Sequence, residues 1–156
     1  MRKNLLMVSL AACSAIVLSS SVVLAADNWV GTWTMDTAKS KFSPGPGPKS
    51  LTLKFEATPA GIKFTGDGVG PDGKAMHSAY VSSYDGKEVP YEGNPEADTA
   101  APKKIDDNSY ENTWKKGGKV TIKAKVVVSG KVMTITQTGT NAKGEAVNNT
   151  IVYNKQ

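Results

Sequence analysis

The chain has 156 residues, of which 39% are hydrophobic and 21% charged, and it carries a net charge of +5. This length suits one domain, and the basic residues are scattered along it, so neither nucleic acid nor an anionic membrane is an expected partner. His77 is the only histidine and Cys13 the only cysteine, and no Gly-x-Ser-x-Gly, Walker or calcium-loop spacing occurs. We therefore predict that the protein is not an enzyme and has no catalytic residues, no metal site and no cofactor.

Residues 1–26 have the make-up of a secretory signal peptide: a basic start, a mostly apolar run, and small residues at Ala25 and Ala26. An uncleaved membrane anchor is the alternative, because about 20 apolar residues span a bilayer, but the small residues at the end favour cleavage. The run Leu-Ala-Ala-Cys that ends at Cys13 also matches a bacterial lipobox, although the apolar run continues beyond it. We expect a periplasmic or secreted protein, without membrane attachment unless Cys13 is lipidated.

Residues 27–156 repeatedly alternate apolar and polar side chains, which is the period-2 pattern of half-buried β-strands. Leucine, a strong helix former, occurs there only at Leu51 and Leu53, whereas the strand-favouring Thr, Val, Tyr and Trp are plentiful. Pro90 and Pro102 weaken two of the patterns, because proline has no N–H to donate to a neighbouring strand. Ten strands are predicted, at residues 28–36, 50–58, 61–68, 74–84, 87–92, 98–105, 109–115, 120–128, 133–138 and 147–153.

Short turns join these strands, and no stretch of residues 27–156 has a helical period. The Asp85-Gly86, Gly117-Gly118 and Ser129-Gly130 pairs are typical hairpin turns. Strands joined in this way form an antiparallel up-and-down meander, which either closes into a barrel or folds into a sandwich. We predict an all-β fold in which a single monomeric domain over residues 27–156 closes into a barrel of eight to ten strands.

The first strand carries Gly31-Thr32-Trp33 and is followed by the meander. This combination resembles the calycins (lipocalins, fatty-acid-binding proteins and avidins), and the length and strand number are most similar to the fatty-acid-binding branch. Residues 31–50, 84–99 and 138–156 also resemble a group of exported bacterial proteins with lipocalin-like barrels and no established activity. The resemblance implies that Trp33 plugs the closed end of the barrel and that a lysine, Lys155, packs over its ring.

Two departures from the fatty-acid-binding proteins bear on function. Those proteins have a helical lid after the first strand, whereas three prolines within Thr37–Lys49 forbid a helix here. This segment is therefore either a rigid strap at the barrel mouth or a plain surface loop. The family also holds the fatty-acid carboxylate with an Arg-x-Tyr near its C-terminus, and the matching positions here are Ile151 and Tyr153. No arginine remains after residue 26, so we expect neutral apolar ligands to be preferred over fatty-acid anions.

The interior is expected to hold a ligand cavity. About a third of residues 27–156 are apolar, which is too few to fill a wide barrel solidly. Some polar side chains occupy the same alternate strand positions as apolar ones, and are therefore expected to point inside with them. An apolar cavity with a few polar groups is typical of a small-ligand site. The alternative is a hydrated core that binds nothing. The predicted ligand-binding residues are Phe55, Phe64, Tyr80, Tyr110, Asn112, Trp114, Gln137, Asn149 and Tyr153.

Two functions remain open from the sequence. The first is an exported protein that binds or carries a small, mainly apolar, neutral ligand inside the barrel. The second is an interaction module whose exposed loops, chiefly Val89–Pro102, contact a protein or polysaccharide while the interior stays filled. A cavity lined by aromatic residues favours the first function, and a filled interior with exposed aromatic residues favours the second.

Overall fold

The computed structural model describes residues 27–156, so the predicted signal peptide and the lipidation at Cys13 lie outside the described residues. Within that range every regular element is a strand. The described residues accordingly contain no helix that is long and apolar enough to cross a membrane. The ten strands are β1 (Gly31–Met35), β2 (Ser50–Thr58), β3 (Gly61–Val69), β4 (Ala75–Ser82), β5 (Val89–Pro90), β6 (Thr99–Asp106), β7 (Ser109–Lys116), β8 (Lys119–Ser129), β9 (Val132–Thr140) and β10 (Ala146–Lys155).

All ten strands belong to one antiparallel sheet in the order β4-β3-β2-β1-β10-β9-β8-β7-β6-β5. Strands that follow one another in sequence pair with each other, apart from β4 and β5, which are the two ends of the sheet. In addition, the first strand, β1, pairs with the last, β10. The two sheet ends meet where the backbones of Ala79 and Glu92 exchange hydrogen bonds of 3.0 and 2.9 Å. The prediction of an all-β meander closed into a barrel is therefore confirmed.

The strands form where alternation divides an inner from an outer face. In β8, Ile122, Ala124, Val126 and Val128 are buried and the lysines between them are exposed. The largest differences from the predicted strand bounds occur at β5 and at the end of β4. A strand was predicted at residues 87–92, but β5 has only two residues, because Pro90 has no N–H to donate. The strand β4 ends at Ser82 and not at residue 84, since Tyr84 has a φ of +57° that turns the chain away.

Trp33 closes one end of the barrel, as the resemblance implied. The side chain is fully buried, and its Nε1 donates a hydrogen bond of 2.7 Å to the carbonyl of Trp29. The Nζ of Lys155 lies 5.1 Å from the centre of the Trp33 ring, within the range of a cation–π contact. Gly31 makes room for this lysine, because a Cβ there would lie 3.1 Å from Lys155 Cε.

A second tryptophan at this end was not singled out from the sequence. Trp29 precedes β1 and is also fully buried. The centre of its ring lies 5.9 Å from the ring centre of Tyr84 and 5.2 Å from that of Tyr110. Lys104 Nζ lies 5.8 Å from the Trp29 ring and pairs with Asp27 and Asp107 at 2.5 and 2.8 Å. The closed end is thus a packed aromatic layer covered by charged groups.

Candidate functional site

A cavity of about 870 Å³ occupies the other half of the barrel. Its volume lies within the usual range for small-ligand sites, roughly 300–1,000 Å³. Inward-facing side chains of strands β2–β4 and β7–β10 form its wall, and its mouth is bounded by residues 42–48, 70–74, 93–96 and 141. The interior above the closed end is therefore hollow.

Eight of the nine predicted ligand-binding residues line this cavity: Phe64, Tyr80, Tyr110, Asn112, Trp114, Gln137, Asn149 and Tyr153. Phe55 has the predicted inward orientation but does not line it. It pairs with Gly31 at the closed-end level and is 1% exposed, with its ring centre 5.2 Å from that of Phe64 and 6.2 Å from that of Tyr110. Phe55 therefore packs beneath the cavity and is not part of its wall.

Other lining residues were missed for two different reasons. Leu51 and Leu53 share the parity of Phe55 but lie nearer the mouth, so the alternation already contained their signal. Ile122 and Ile135 were likewise readable as inward residues of regular strands. Tyr91 lies just after β5, at the end of the pattern that Pro90 weakens, and only the folded structure places it on the wall.

The segment between β1 and β2 forms a strap, residues 36–49, across the mouth. Lys41 exchanges two backbone hydrogen bonds with Thr150 of β10, of 2.7 and 2.9 Å, and Asn148 N donates to Ser43 O at 2.8 Å. Beyond Ser43 the strap leaves the sheet, and Phe42 with the three prolines lines the cavity. Of the two alternatives left open by the sequence, the strap is therefore the one that the structure adopts.

Two sets of polar contacts lie on the otherwise apolar wall. Near the strap, Ser43 N donates to Asn149 Oδ1 at 2.9 Å, and Asn149 Nδ2 donates to Gln137 Oε1 at 3.0 Å. Across the cavity, Asn112 Nδ2 donates to Tyr80 Oη at 3.3 Å. These groups are amides and hydroxyls, which are uncharged at neutral pH.

Charged side chains occur on the cavity lining only at its mouth, among the described residues. They are Asp72, Lys74 and Glu96, whereas Ile151 presents an aliphatic side chain inside. Burial raises the pKa of Tyr80 and of Tyr110 well above its ordinary value, because a poorly hydrated wall disfavours the phenolate. The inner wall therefore suits neutral groups and disfavours anions.

The only histidine forms an exposed pair at the rim. His77 Nδ1 lies 2.6 Å from Asp67 Oδ1, with both side chains more than half exposed. Ser78, the adjacent residue, points to the opposite face of β4, as strand alternation requires. No group of three or more His, Cys, Asp or Glu residues suited to hold a metal occurs in the described range. The absence of catalysis stays a prediction.

The chain matches no family model and no curated protein sequence. Two solved structures are similar to this chain. As-p18, an extracellular fatty acid binding protein, has a TM-score of 0.54 and 16% identity, covering 84% of this chain and 98% of its own. The zebrafish ileal bile acid-binding protein with cholic acid has a TM-score of 0.46 and 13% identity, covering 82% and 98%. The chain has the fold of the fatty-acid-binding proteins, a ten-stranded calycin-like barrel.

Proposed function

We propose that this protein binds a small, mainly apolar, neutral molecule inside its barrel, as a carrier and not as a catalyst. The cavity of about 870 Å³ is the observation that carries the proposal. The same observation favours the carrier over the interaction module, for which a filled interior with exposed aromatic residues is expected. All eleven aromatic residues of the chain are buried or half-buried, so exposed aromatic rings suited to a protein partner are missing from the described surface.

The neutrality of the ligand follows from the groups available to hold it. A buried carboxylate without a cation or several donors costs several kcal/mol of desolvation. Below the mouth, the cavity lining within residues 27–156 offers no cation, and Ile151 presents methyl groups to the cavity. Amide and phenol donors stabilise a carbonyl or hydroxyl by about 0.5–1.5 kcal/mol each, which suffices for a neutral group.

Titration of residues 27–156 with a fluorescent fatty acid and with its methyl ester tests the proposal. We expect both probes to bind, with the ester at least as tightly as the acid at neutral pH. A tenfold preference for the free acid contradicts the neutral-ligand proposal, because it requires a cation in the cavity. Failure of both probes to bind contradicts the carrier proposal as a whole.

We also propose that the protein acts outside the cytoplasm. The composition of residues 1–26 supports export, and the adjoining Asp27 is held by Lys104 at the closed end of the barrel. N-terminal sequencing of the protein from its native host should find a chain that begins at Ala26 or Asp27. An intact Met1, or a chain that begins at a lipidated Cys13, contradicts this proposal.

A further inference from the structure

One level of the inner wall carries a row of polar side chains on neighbouring strands. Asn149 of β10 lies opposite Gln137 of β9, Gln137 opposite Ala124 of β8, and Ala124 opposite Asn112 of β7. All four residues line the cavity. The row is therefore polar except at Ala124, where a single methyl group separates Gln137 from Asn112. Two strand spacings, roughly 9.5 Å, lie between the Cα atoms of these two residues.

Ala124 is thus a break in the polar row, and the strap determines the direction of the hydrogen bonds on the side of Gln137 and Asn149. A backbone N–H only donates, so the Asn149 atom that faces Ser43 N must be the acceptor Oδ1. Asn149 Nδ2 then faces Gln137 and donates to its Oε1. Gln137 Nε2, the donor of the same amide, is therefore the last group of this chain of hydrogen bonds.

An acceptor lies on the other side of the break. Asn112 is 5% exposed, and its Nδ2 is engaged by Tyr80 Oη. Its Oδ1 is buried and has no hydrogen-bond partner among the described residues. Most buried polar atoms in folded proteins have a partner, so an orphaned acceptor on a cavity wall points to a donor from elsewhere.

We propose that the break at Ala124 is a hydroxyl-binding subsite, which selects an apolar ligand with one alcohol group. This inference rests on the proposed function and names the chemical class of its ligand. A hydroxyl oxygen accepts from Gln137 Nε2 while its hydrogen is donated to Asn112 Oδ1, so one group completes the row. Wall atoms cover Oδ1 in this structure. A turn of the amide about its Cβ–Cγ bond, a broad torsion, uncovers it, and the hydrogen bond to the ligand hydroxyl then replaces the contact of Nδ2 with Tyr80 Oη.

Other head groups lack one half of this pattern. Ethers, esters and ketones accept from Gln137 but leave Asn112 Oδ1 without a donor. A carboxylate also only accepts, and it places negative charge beside the amide oxygen. The alcohol should therefore bind roughly three- to tenfold more tightly than an isomer that cannot donate, which corresponds to one net hydrogen bond.

Displacement of the neutral dye Nile red by dodecanol and by methyl undecyl ether tests the subsite. The two competitors are isomers, so they differ in the hydrogen-bond donor and scarcely in apolar content. We expect the alcohol preference in the wild type and its loss, to a ratio near one, in both Ala124→Val and Asn112→Leu. Ala124→Val fills the space between the amides without removing a polar group, so it separates the subsite from general polarity.

Thr113→Val is the matched control, since Thr113 lies beside Asn112 on β7 but faces away from the cavity, and it should keep the preference. Nile red binding by each variant reports that the barrel is intact. Equal affinities of the two isomers for the wild type overturn the subsite while the carrier function stands. A preference that survives Ala124→Val also overturns it. If Nile red and both isomers fail to bind the wild type, the proposed function fails as well.

Discussion

Replacement of Trp33 by alanine tests whether this side chain anchors the closed end of the barrel. The indole is fully buried. Its Nε1 donates a hydrogen bond of 2.7 Å to Trp29 O, and Lys155 Nζ lies 5.1 Å from the centre of the ring. Deletion of a buried tryptophan removes its transfer free energy and leaves a cavity, at a cost of roughly 3–5 kcal/mol. Domains of this size have a total stability of about 5–15 kcal/mol, so Trp33→Ala should be severely destabilised.

Urea unfolding followed by circular dichroism measures this loss in the free energy of unfolding. Trp33→Phe separates volume from hydrogen bonding, because it retains much of the ring but leaves the Trp29 carbonyl without its donor, at a cost of about 1–3 kcal/mol. Val132→Ala is the control, since Val132 is 39% exposed and its truncation should cost less than about 0.5 kcal/mol. A cost for Trp33→Ala no larger than that of Val132→Ala would refute the assignment of Trp33 as the plug.

Three further predictions concern the cavity, the cation at the closed end and the buried tyrosines. Ile151→Arg should raise the affinity for dodecanoate relative to its methyl ester at least tenfold in Nile red displacement, because a guanidinium pairs with a carboxylate; an unchanged ratio, as expected for the control Ile151→Met, contradicts this. Lys155→Met keeps most of the side-chain volume over Trp33 but removes the cation, and should lower the free energy of unfolding in urea by about 0.5–1 kcal/mol; a value no different from that of exposed Lys131→Met contradicts the cation–π contact. Burial raises the pKa of all five core tyrosines above the ordinary 10.0, so their contribution to stability is complete below pH 10.0 and is lost as the pH rises toward the folded values. Tyrosinate absorbance should therefore appear together with unfolding, and ionisation of these tyrosines in the folded protein contradicts the prediction.

Much of the cavity wall was predictable because strand alternation assigns each residue to one of two faces. Asn112 and Gln137 were expected inside from the apolar residues two positions away, and both line the cavity. The same rule placed Phe55 on the inner face but not on the cavity wall, since parity gives the face of a residue and not its depth along the barrel axis. Depth depends on which residues lie opposite one another, and Phe55 lies opposite Gly31 at the closed end.

By itself the sequence determined the strands and the antiparallel meander, because each depends on local alternation or short turns. The Trp33–Lys155 contact was implied by the family resemblance, and it forms through the pairing of β1 with β10. Only the tertiary structure decided the path of the strap along β10 and the polar row that is broken at Ala124. These features depend on hydrogen bonds between segments far apart in sequence, such as Ser43 and Asn149. No local pattern encodes such a register, because it is set only when the barrel closes and every strand acquires its neighbours.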